Sequence, residues 1–340
     1  MWILPALTAC VLAFALTPLA RRAALAVGLV DVPNTRRLNT RPMPTGGGVA
    51  VFAAFFVTAG VLGGRELLPF ILGGLIVLIV GLIDDYRGLS APMKFGGQVL
   101  AALVFAWLGP RIEFVTNPWG GMIYVGTFAV PLTVLWMVSV VNVINFIDGM
   151  DGLAAGITGI AALSLLAISM EFGRYDPAVL SLILIGACVG FLPYNFNPAK
   201  VYLGDAGAMF LGFMLAGIAT DGALKGAATI GMTVPTLILF VPVFDTACAI
   251  VRRLQRGMPV YQADKEHFHH RMLALGLSQR QTALLAYFLS FLTGFAGLYL
   301  LRSDQGGQLV VGIIVILFAW GALRVGLISG PDKLQKRMFR

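Results

Sequence analysis

The sequence predicts an all-α protein, a polytopic bundle of about eleven membrane-spanning helices that forms a single domain over residues 1–340. Three observations predict this fold. Hydrophobic residues make up 58% of the chain, the mean hydropathy is +0.88, and charged residues are only 12%, against about 25% in soluble domains. Spans of about twenty residues leave no room for a sizeable soluble domain. The composition therefore excludes a soluble enzyme, a disulfide scaffold, a porin and a disordered chain.

Each predicted span is an apolar run bounded by charged residues, proline or glycine. The runs lie near residues 2–20, 46–63, 67–84, 95–109, 127–145, 152–170, 177–193, 207–220, 229–251, 281–301 and 307–328. The first run has no basic residue before it, while Arg21 and Arg22 follow it. We therefore expect it to be a retained span and not a signal peptide.

The basic residues predict the orientation of the bundle. If eleven spans are assumed, 19 of the 24 lysines and arginines fall in segments on one side of the membrane. Basic residues concentrate on the cytoplasmic side, so the N-terminus is predicted outside and the C-terminus in the cytoplasm. The positive potential of that inner face suits anionic lipid or an anionic cytosolic substrate.

Apart from Asp245, the acidic and amide residues that stand out, together with the histidines, lie in four segments, all on the predicted inner face. The first segment closes the third span with Asp84 and Asp85 and is followed by Lys94. Adjacent carboxylates at a helix C-terminus repel each other and oppose the helix dipole, so a cation should lie near them. The alternative is a solvated loop in which Arg87 is the counter-ion.

The second segment closes the fifth span and reads N-x-x-N-x-x-D-G-x-D-G-L from Asn142 to Leu153. Its glycines should end the helix and let Asp148 and Asp151 turn toward a common point. Two asparagines buried within a span need polar partners, which favours a site. In the alternative interpretation Asp151 only caps the sixth helix.

The third segment, residues 193–207, contains Asn195 and places Asp205 at the start of the eighth span, between Gly204 and Gly207. A helix N-terminus of this kind suits a phosphate group, with Asp205 holding a hard cation against it. The alternative is that Asp205 serves only as a helix N-cap.

The fourth segment contains every histidine of the chain, His267, His269 and His270, among basic and acidic residues. Arginines and carboxylates beside the histidines suit a diphosphate better than zinc, which is the alternative ligand. Asp245, in the inner half of the ninth span, is an intramembrane carboxylate and therefore also a functional candidate.

Carboxylates, imidazoles and cations at one membrane surface predict a site where a nucleotide meets a lipid phosphate, with Mg²⁺ held by the carboxylates. No Walker A motif or Rossmann glycine motif supports ATP hydrolysis or a Rossmann-type glycosyltransferase domain. A secondary transporter or lipid flippase is the alternative class, because it also combines many spans with buried carboxylates. Transport sites tend to lie near the midplane between matching halves, whereas these carboxylates crowd one face.

In these four segments the chain resembles the polyprenyl-phosphate N-acetylhexosamine-1-phosphate transferases. The resemblance covers nearly the whole chain and rests on the paired aspartates, the N-x-x-N-x-x-D-G-x-D-G-L run, the N-P-A-K-V-x-x-G-D run and H-x-H-H, in that order. The run from His267 to Arg271 and the run from Pro242 to Thr246 are similar to the GlcNAc-1-phosphate branch. Lys265 stands where that branch is expected to have arginine, which keeps the charge but loses bidentate geometry.

The resemblance implies that GlcNAc 1-phosphate is transferred from UDP-GlcNAc, or a related UDP-amino sugar, to polyprenyl (undecaprenyl) phosphate, with release of UMP. This step would initiate cell-wall or surface polysaccharide synthesis. The implied cofactor is Mg²⁺, or Mn²⁺ in its place, and the implied location is the inner membrane with the site on the cytoplasmic face. The resemblance implies membrane lipid as a partner but no nucleic acid, and it allows a homodimer.

The resemblance also implies roles for individual residues. The residues expected to take part in catalysis are Asp84, Asp85, Asp148, Asp151, His267, His269 and His270. Those expected to contact substrate are Lys94, Asn145, Asn195, Asp245 and Arg271. The expected metal ligands are Asp85, Asp148 and Asp205. Two mechanisms stay open, direct attack by the lipid phosphate with Asp84 completing its deprotonation, or a covalent aspartyl intermediate.

Overall fold

The computed structural model describes residues 2–32, 41–62, 67–116, 122–226, 233–259 and 266–302, with short pieces at 312–313, 316–318 and 320–321. The predicted span at 307–328 lies largely outside the described residues, as does Lys265. The helices are α1 (Ile3–Ala26), α2 (Gly47–Leu62), α3 (Leu68–Arg87), α4 (Ala91–Leu108), α5 (Ala129–Ile147), α6 (Leu153–Glu171), α7 (Tyr175–Asn195), α8 (Gly204–Gly226), α9 (Thr233–Ile238), α10 (Phe240–Gln255), α11 (Phe268–Ala274) and α12 (Gln279–Arg302).

In the part of the chain that the structure describes, four short strands form two antiparallel pairs outside the helices. Strand β1 (Val30–Asp31) pairs with β2 (Met43–Pro44) between α1 and α2. Strand β3 (Phe114–Thr116) pairs with β4 (Met122–Tyr124) between α4 and α5. The architecture is therefore all-α, with strands confined to connections.

Seven helical segments of the described chain are long and apolar enough to cross a membrane. They contain α1, α3, α4, α5, α6, α7 and α12, and α2 is a shorter apolar helix. Large apolar side chains such as Leu7, Val11 and Phe14 of α1 face outward. A surface of this kind is stable against lipid tails, and helices satisfy their own backbone hydrogen bonds there. The chain is a multi-pass membrane protein.

Helix α8 lies at the centre of the bundle and packs against α2, α3, α5 and α6. Its side chains are buried on all sides, among them Phe210, Phe213 and Met214. A helix that is apolar all round is stable only when other helices surround it. This central position brings the first turn of α8, with Asp205, among the ends of its neighbours.

The predicted ninth span, residues 229–251, is not one continuous helix in its described part. It is interrupted at Leu239 between α9 and α10, and α10 then continues to Gln255. Pro242 explains the interruption, because it has no N–H to donate to the carbonyl of residue 238 and is tolerated only in the first turn of a helix. Asp245 therefore lies in the second turn of a new helix.

The helix ends that carry the polar segments meet at one end of the bundle. They are the C-terminal ends of α3, α5 and α7 and the N-terminal ends of α4, α6, α8 and α12. The sequence produces this convergence because short, glycine-containing connections join antiparallel neighbours, as at Gly88 and Gly152.

Candidate active site

A cavity of about 620 Å³ opens among these helix ends. Small-molecule sites typically have volumes of about 300–1,000 Å³. All four polar segments contribute to its walls. The polar residues that line it are Asp31, Arg41, Thr45, Asp85, Asn145, Asp148, Asp151, Asn195, Asn197, Tyr202, Asp205, His270 and Gln279.

Asp205 connects three helices at this cavity. Its Oδ1 atom accepts hydrogen bonds from Lys94 Nζ of α4 and Asn145 Nδ2 of α5, each at 2.5 Å. Lys94 Nζ also lies 2.8 Å from Asp84 Oδ2. The cation beside the paired aspartates is thus Lys94, whereas the sequence had also suggested Arg87. The Asp205 carboxylate binds these side chains from other helices, which is more than an N-cap requires.

The two paired aspartates face different neighbours. Asp84 Oδ1 accepts a hydrogen bond from Leu89 N at 2.6 Å, just past the end of α3. Asp85 instead reaches α8, where its two oxygens accept hydrogen bonds from Asp205 N at 2.8 Å and Ala206 N at 3.2 Å. Asp85 lines the cavity, while Asp84 and Lys94 lie behind Asp205.

Asp148 follows the last residue of α5 and faces the same cavity. Burial raises the pKa of its carboxyl well above the ordinary value, and the nearby carboxylates of Asp205, Asp85 and Asp151 raise it further. A buried carboxylate surrounded by others is an environment that a bound cation would stabilise.

Asp151 and Asn195 hold the loops of the cavity in place. Asp151 Oδ2 accepts hydrogen bonds from Asn197 Nδ2 at 2.9 Å and Ala199 N at 3.0 Å. Asp151 therefore joins two loops and does not cap α6. Asn195 Oδ1 accepts from Gly152 N, and its Nδ2 donates to Val201 O, both at 3.1 Å.

The histidines form a row that leads from a buried carboxylate to the cavity. Asp245 is 3% exposed, its Oδ2 lies 2.8 Å from His267 Nδ1, and its Oδ1 accepts from Phe268 N at 2.8 Å. The His269 ring is parallel to that of His267, with centroids 6.0 Å apart, and lies 4.2 Å from that of His270. Of the three histidines, His270 lines the cavity.

Burial places the pKa of His269 well below its ordinary value, and the neighbouring His270 and His267 lower it further. Arg271, predicted to contact substrate, donates a hydrogen bond to Glu266 Oε2 at 2.6 Å. Glu266 also binds Arg256 at 2.9 Å. Four of the predicted site residues thus lie outside the cavity lining and contact its neighbours: Asp245, His267, His269 and Arg271.

The chain is similar to known proteins over most of its length. Residues 67–223 match the family described as glycosyl transferase family 4. The chain is 34% identical over 309 residues to the "Probable undecaprenyl-phosphate N-acetylglucosaminyl 1-phosphate transferase" of Bacillus subtilis (strain 168), which covers 89% of this chain and 86% of that protein. The chain belongs to the polyprenyl-phosphate N-acetylhexosamine-1-phosphate transferase family.

Other relatives agree with this assignment. A "Decaprenyl-phosphate N-acetylglucosaminephosphotransferase" of Mycolicibacterium smegmatis is 34% identical, over 97% of this chain and 90% of that protein. An "Undecaprenyl-phosphate alpha-N-acetylglucosaminyl 1-phosphate transferase" of Salmonella typhi is 26% identical, over 78% and 75%.

Several residues in the cavity or bonded to the motifs around it were not singled out from the sequence. Gln98 is 2% exposed and exchanges hydrogen bonds with Asn142, whose Nδ2 donates to Gln98 Oε1 at 2.6 Å. The signal for Gln98 was available, because it is a buried amide one helical turn after Lys94. Asp31, Arg41 and Gln279 also line the cavity, as does Asn197, which begins the N-P-A-K-V-x-x-G-D run. Asp31 and Arg41 belong to no motif, so the sequence gives no signal that would identify them.

The residues at the cavity fit the Mg²⁺ expected of such a transferase. Within the described ranges, no group of three or more His, Cys, Asp or Glu side chains is arranged to hold a metal ion. However, Mg²⁺ usually binds through one or two carboxylates together with substrate phosphates and water. Asp148 and Asp205 face the cavity and provide such a pair.

Proposed function

We propose that this chain transfers N-acetylglucosamine 1-phosphate from UDP-GlcNAc to polyprenyl phosphate, producing polyprenyl-diphospho-GlcNAc and UMP. The observation that carries the proposal is the cavity, where carboxylates, asparagines and His270 from distant segments converge at one end of an apolar bundle. The printed names of the Bacillus and Mycolicibacterium relatives support the same transferred group and a polyprenyl-phosphate acceptor.

In the proposed reaction, an oxygen of the lipid phosphate attacks the β-phosphorus of UDP-GlcNAc. The bond between this phosphorus and the oxygen that bridges the two phosphates breaks, and that oxygen leaves with UMP. A phosphate monoester loses its second proton with a pKa of about 6, so at neutral pH most acceptor molecules are already dianions. The chain therefore has to orient the reactants and neutralise charge, and it needs no strong base.

Asp148 and Asp205 are the residues that would hold Mg²⁺, or Mn²⁺ in its place. When bound, the ion would neutralise the diphosphate and polarise the reacting phosphorus. Lys94 and Asn145 fix the carboxylate of Asp205 through their hydrogen bonds. Asp151 fixes the loop of residues 197–199, and His270 is a cavity group suited to hold a phosphate oxygen.

The hydrogen bonds of the paired aspartates support direct attack over a covalent aspartyl intermediate. Each oxygen of Asp84 accepts a hydrogen bond or ion pair, from Leu89 N and Lys94 Nζ. Both oxygens of Asp85 accept amide hydrogen bonds from α8. Oxygens engaged in this way are weaker nucleophiles than a free carboxylate, because each hydrogen bond stabilises the charge that would attack.

We also propose that the cavity faces the cytoplasm from the inner membrane, in a bundle of about eleven spans with the N-terminus outside. The basic residues support this orientation, since several of them lie at the cavity end of the bundle, namely Arg87 at the end of α3, Lys94 in the first turn of α4, Lys200 between α7 and α8, and Arg256 just past α10.

The direct test uses detergent-purified protein with Mg²⁺, undecaprenyl phosphate and UDP-GlcNAc. We expect release of UMP together with a lipid-linked diphospho-sugar, and loss of both products in Asp205→Asn. Asp176→Asn, which alters a carboxylate at the opposite end of α7, is the control. Release of UDP would instead mean transfer of the sugar alone. Uptake into sealed vesicles without a covalent product would favour a transporter.

A further inference from the structure

The N-terminus of α8 lacks a capping side chain from its own sequence. The first N–H groups of any helix have no partners within that helix. Helices usually satisfy them with a Ser, Thr, Asp or Asn that precedes the first turn. Tyr202 and Leu203 precede α8 and Gly204 begins it, so none of these residues offers such a side chain.

Asp85 supplies this cap from another helix. Its Oδ1 accepts a hydrogen bond from Asp205 N at 2.8 Å, and its Oδ2 accepts one from Ala206 N at 3.2 Å. A carboxylate at this place also interacts favourably with the positive end of the helix dipole. The paired aspartates therefore have different partners: Asp85 binds the first amides of α8, whereas Asp84 binds Leu89 N and Lys94.

The backbones of α3 and α8 are shaped for this contact. A Cβ atom on Gly81, one turn before Asp85, would lie 2.3 Å from Ala206 Cα. Gly204 has a φ of +76°, and a Cβ atom there would lie 2.6 Å from Asp85 Oδ2. Glycine at both positions lets the last turn of α3 meet the first turn of α8 closely enough for the cap.

The cap also places Asp205. The amide that Asp85 binds belongs to Asp205 itself, and the Asp205 carboxylate receives Lys94 and Asn145. We infer that Asp85 is a positioning residue that caps α8 and fixes Asp205 in the cavity, and that it is neither the base nor a metal ligand. This inference rests on the proposed function for its kinetic consequence, but the cap itself does not depend on that function.

Two substitutions separate the cap from the alternatives. In Asp85→Asn the amide oxygen can still accept from Asp205 N, while the NH₂ group faces Ala206 N, so the longer hydrogen bond and the negative charge are lost. In Asp85→Ala both hydrogen bonds are lost. We expect Asp85→Asn to keep a kcat for UMP release at least about tenfold higher than that of Asp85→Ala. If Asp85 is a base or a metal ligand, both variants lose the essential charge and their kcat values fall together, which would overturn the inference.

Two further measurements do not require turnover. With EDTA present, we expect Asp85→Ala to melt a few degrees below the wild type and Asp85→Asn, which keeps one of the two hydrogen bonds, to melt between the two. Mn²⁺ binding, followed by electron paramagnetic resonance, should weaken in Asp85→Ala, where Asp205 is displaced, and stay near wild type in Asp85→Asn. Equal weakening in both variants, or melting of both above the wild type, would contradict the cap.

These measurements also keep the two proposals apart. A wild-type protein that releases no UMP would refute the proposed function. The melting and Mn²⁺ comparisons would still decide whether Asp85 caps α8 and positions Asp205.

Discussion

At the scale of single residues, the site depends on contacts that place Asp205. Lys94 and Asn145 bind its carboxylate, and Asp85 binds its backbone amide. These partners come from α4, α5 and α3, so the position of Asp205 depends on how these three helices pack against α8. A change in any one of these contacts is therefore expected to affect the same carboxylate.

Asp245, a buried carboxylate outside the cavity lining, is predicted to orient the histidine segment. In Asp245→Asn the amide oxygen can still accept from Phe268 N, but the NH₂ group would face His267 Nδ1 and require the opposite tautomer. We expect kcat for UMP release to fall at least about tenfold, while KM for UDP-GlcNAc changes less. Steady-state kinetics in detergent measure both quantities.

The control for this prediction is Asp176→Asn, which removes a carboxylate from the first turn of α7. It should leave kcat unchanged. Wild-type kcat in Asp245→Asn would show that the His267 contact has no part in turnover.

The sequence predicted which residue types gather at the site, but not their partners. Asp85, Asn145, Asp148, Asp151, Asn195, Asp205 and His270 line one cavity, as their motifs suggested. The hydrogen bond from Asp205 to Asp85 joins residues 120 positions apart. Spacing along the chain cannot reveal such a contact, because it depends on how α3 and α8 pack. For the same reason the sequence did not indicate that Arg271 binds Glu266.

At the scale of helices, apolar runs predicted the elements well where glycine or charge ended them. The helices α3, α5, α6 and α7 lie where spans were expected, although α3 continues through Asp84 and Asp85 to Arg87. The run at 229–251 misled the prediction, because hydropathy does not register the missing N–H of Pro242. A long apolar run therefore predicts burial in the membrane more securely than it predicts an unbroken helix.

The contact between α3 and α8 gives a prediction at this scale. In Gly81→Ala the new Cβ atom would meet the backbone of Ala206 at 2.3 Å, and backbone cannot move aside as a flexible side chain can. We expect a lower melting temperature and a lower kcat, because the two helices must separate and the Asp85 cap must lengthen.

The matched control for that substitution is Gly96→Ala in α4. A Cβ atom there has open space around it, and alanine favours a helix over glycine by about 0.5–1 kcal/mol. Gly96→Ala should therefore melt at or above the wild-type temperature with unchanged kcat. Equal melting temperatures for Gly81→Ala and the wild type would show that the close approach of α3 and α8 is not rigid.

At the scale of the whole molecule, polar groups concentrate at one end of the bundle. The polar helix ends meet at the cavity, whereas side chains such as Phe288, Phe291 and Phe295 of α12 are exposed on the outside. A protein with this distribution has to lie with its cavity end at one membrane surface, because charged groups are costly within the hydrocarbon. The excess of basic residues in the cavity-end segments then predicts the cytoplasmic surface.

Thiol labelling tests this orientation in cells. In a background without Cys10, Cys188 and Cys248, a cysteine replaces either Ala274, exposed near the start of α12, or Tyr175, exposed at the far end of α7. The 21 residues of α7 separate Tyr175 from the cavity end by roughly 30 Å. A membrane-impermeant maleimide should label Tyr175→Cys in intact cells and Ala274→Cys only after the membrane is opened. The reverse pattern would place the cavity outside the cell, where a cytosolic nucleotide sugar cannot reach it.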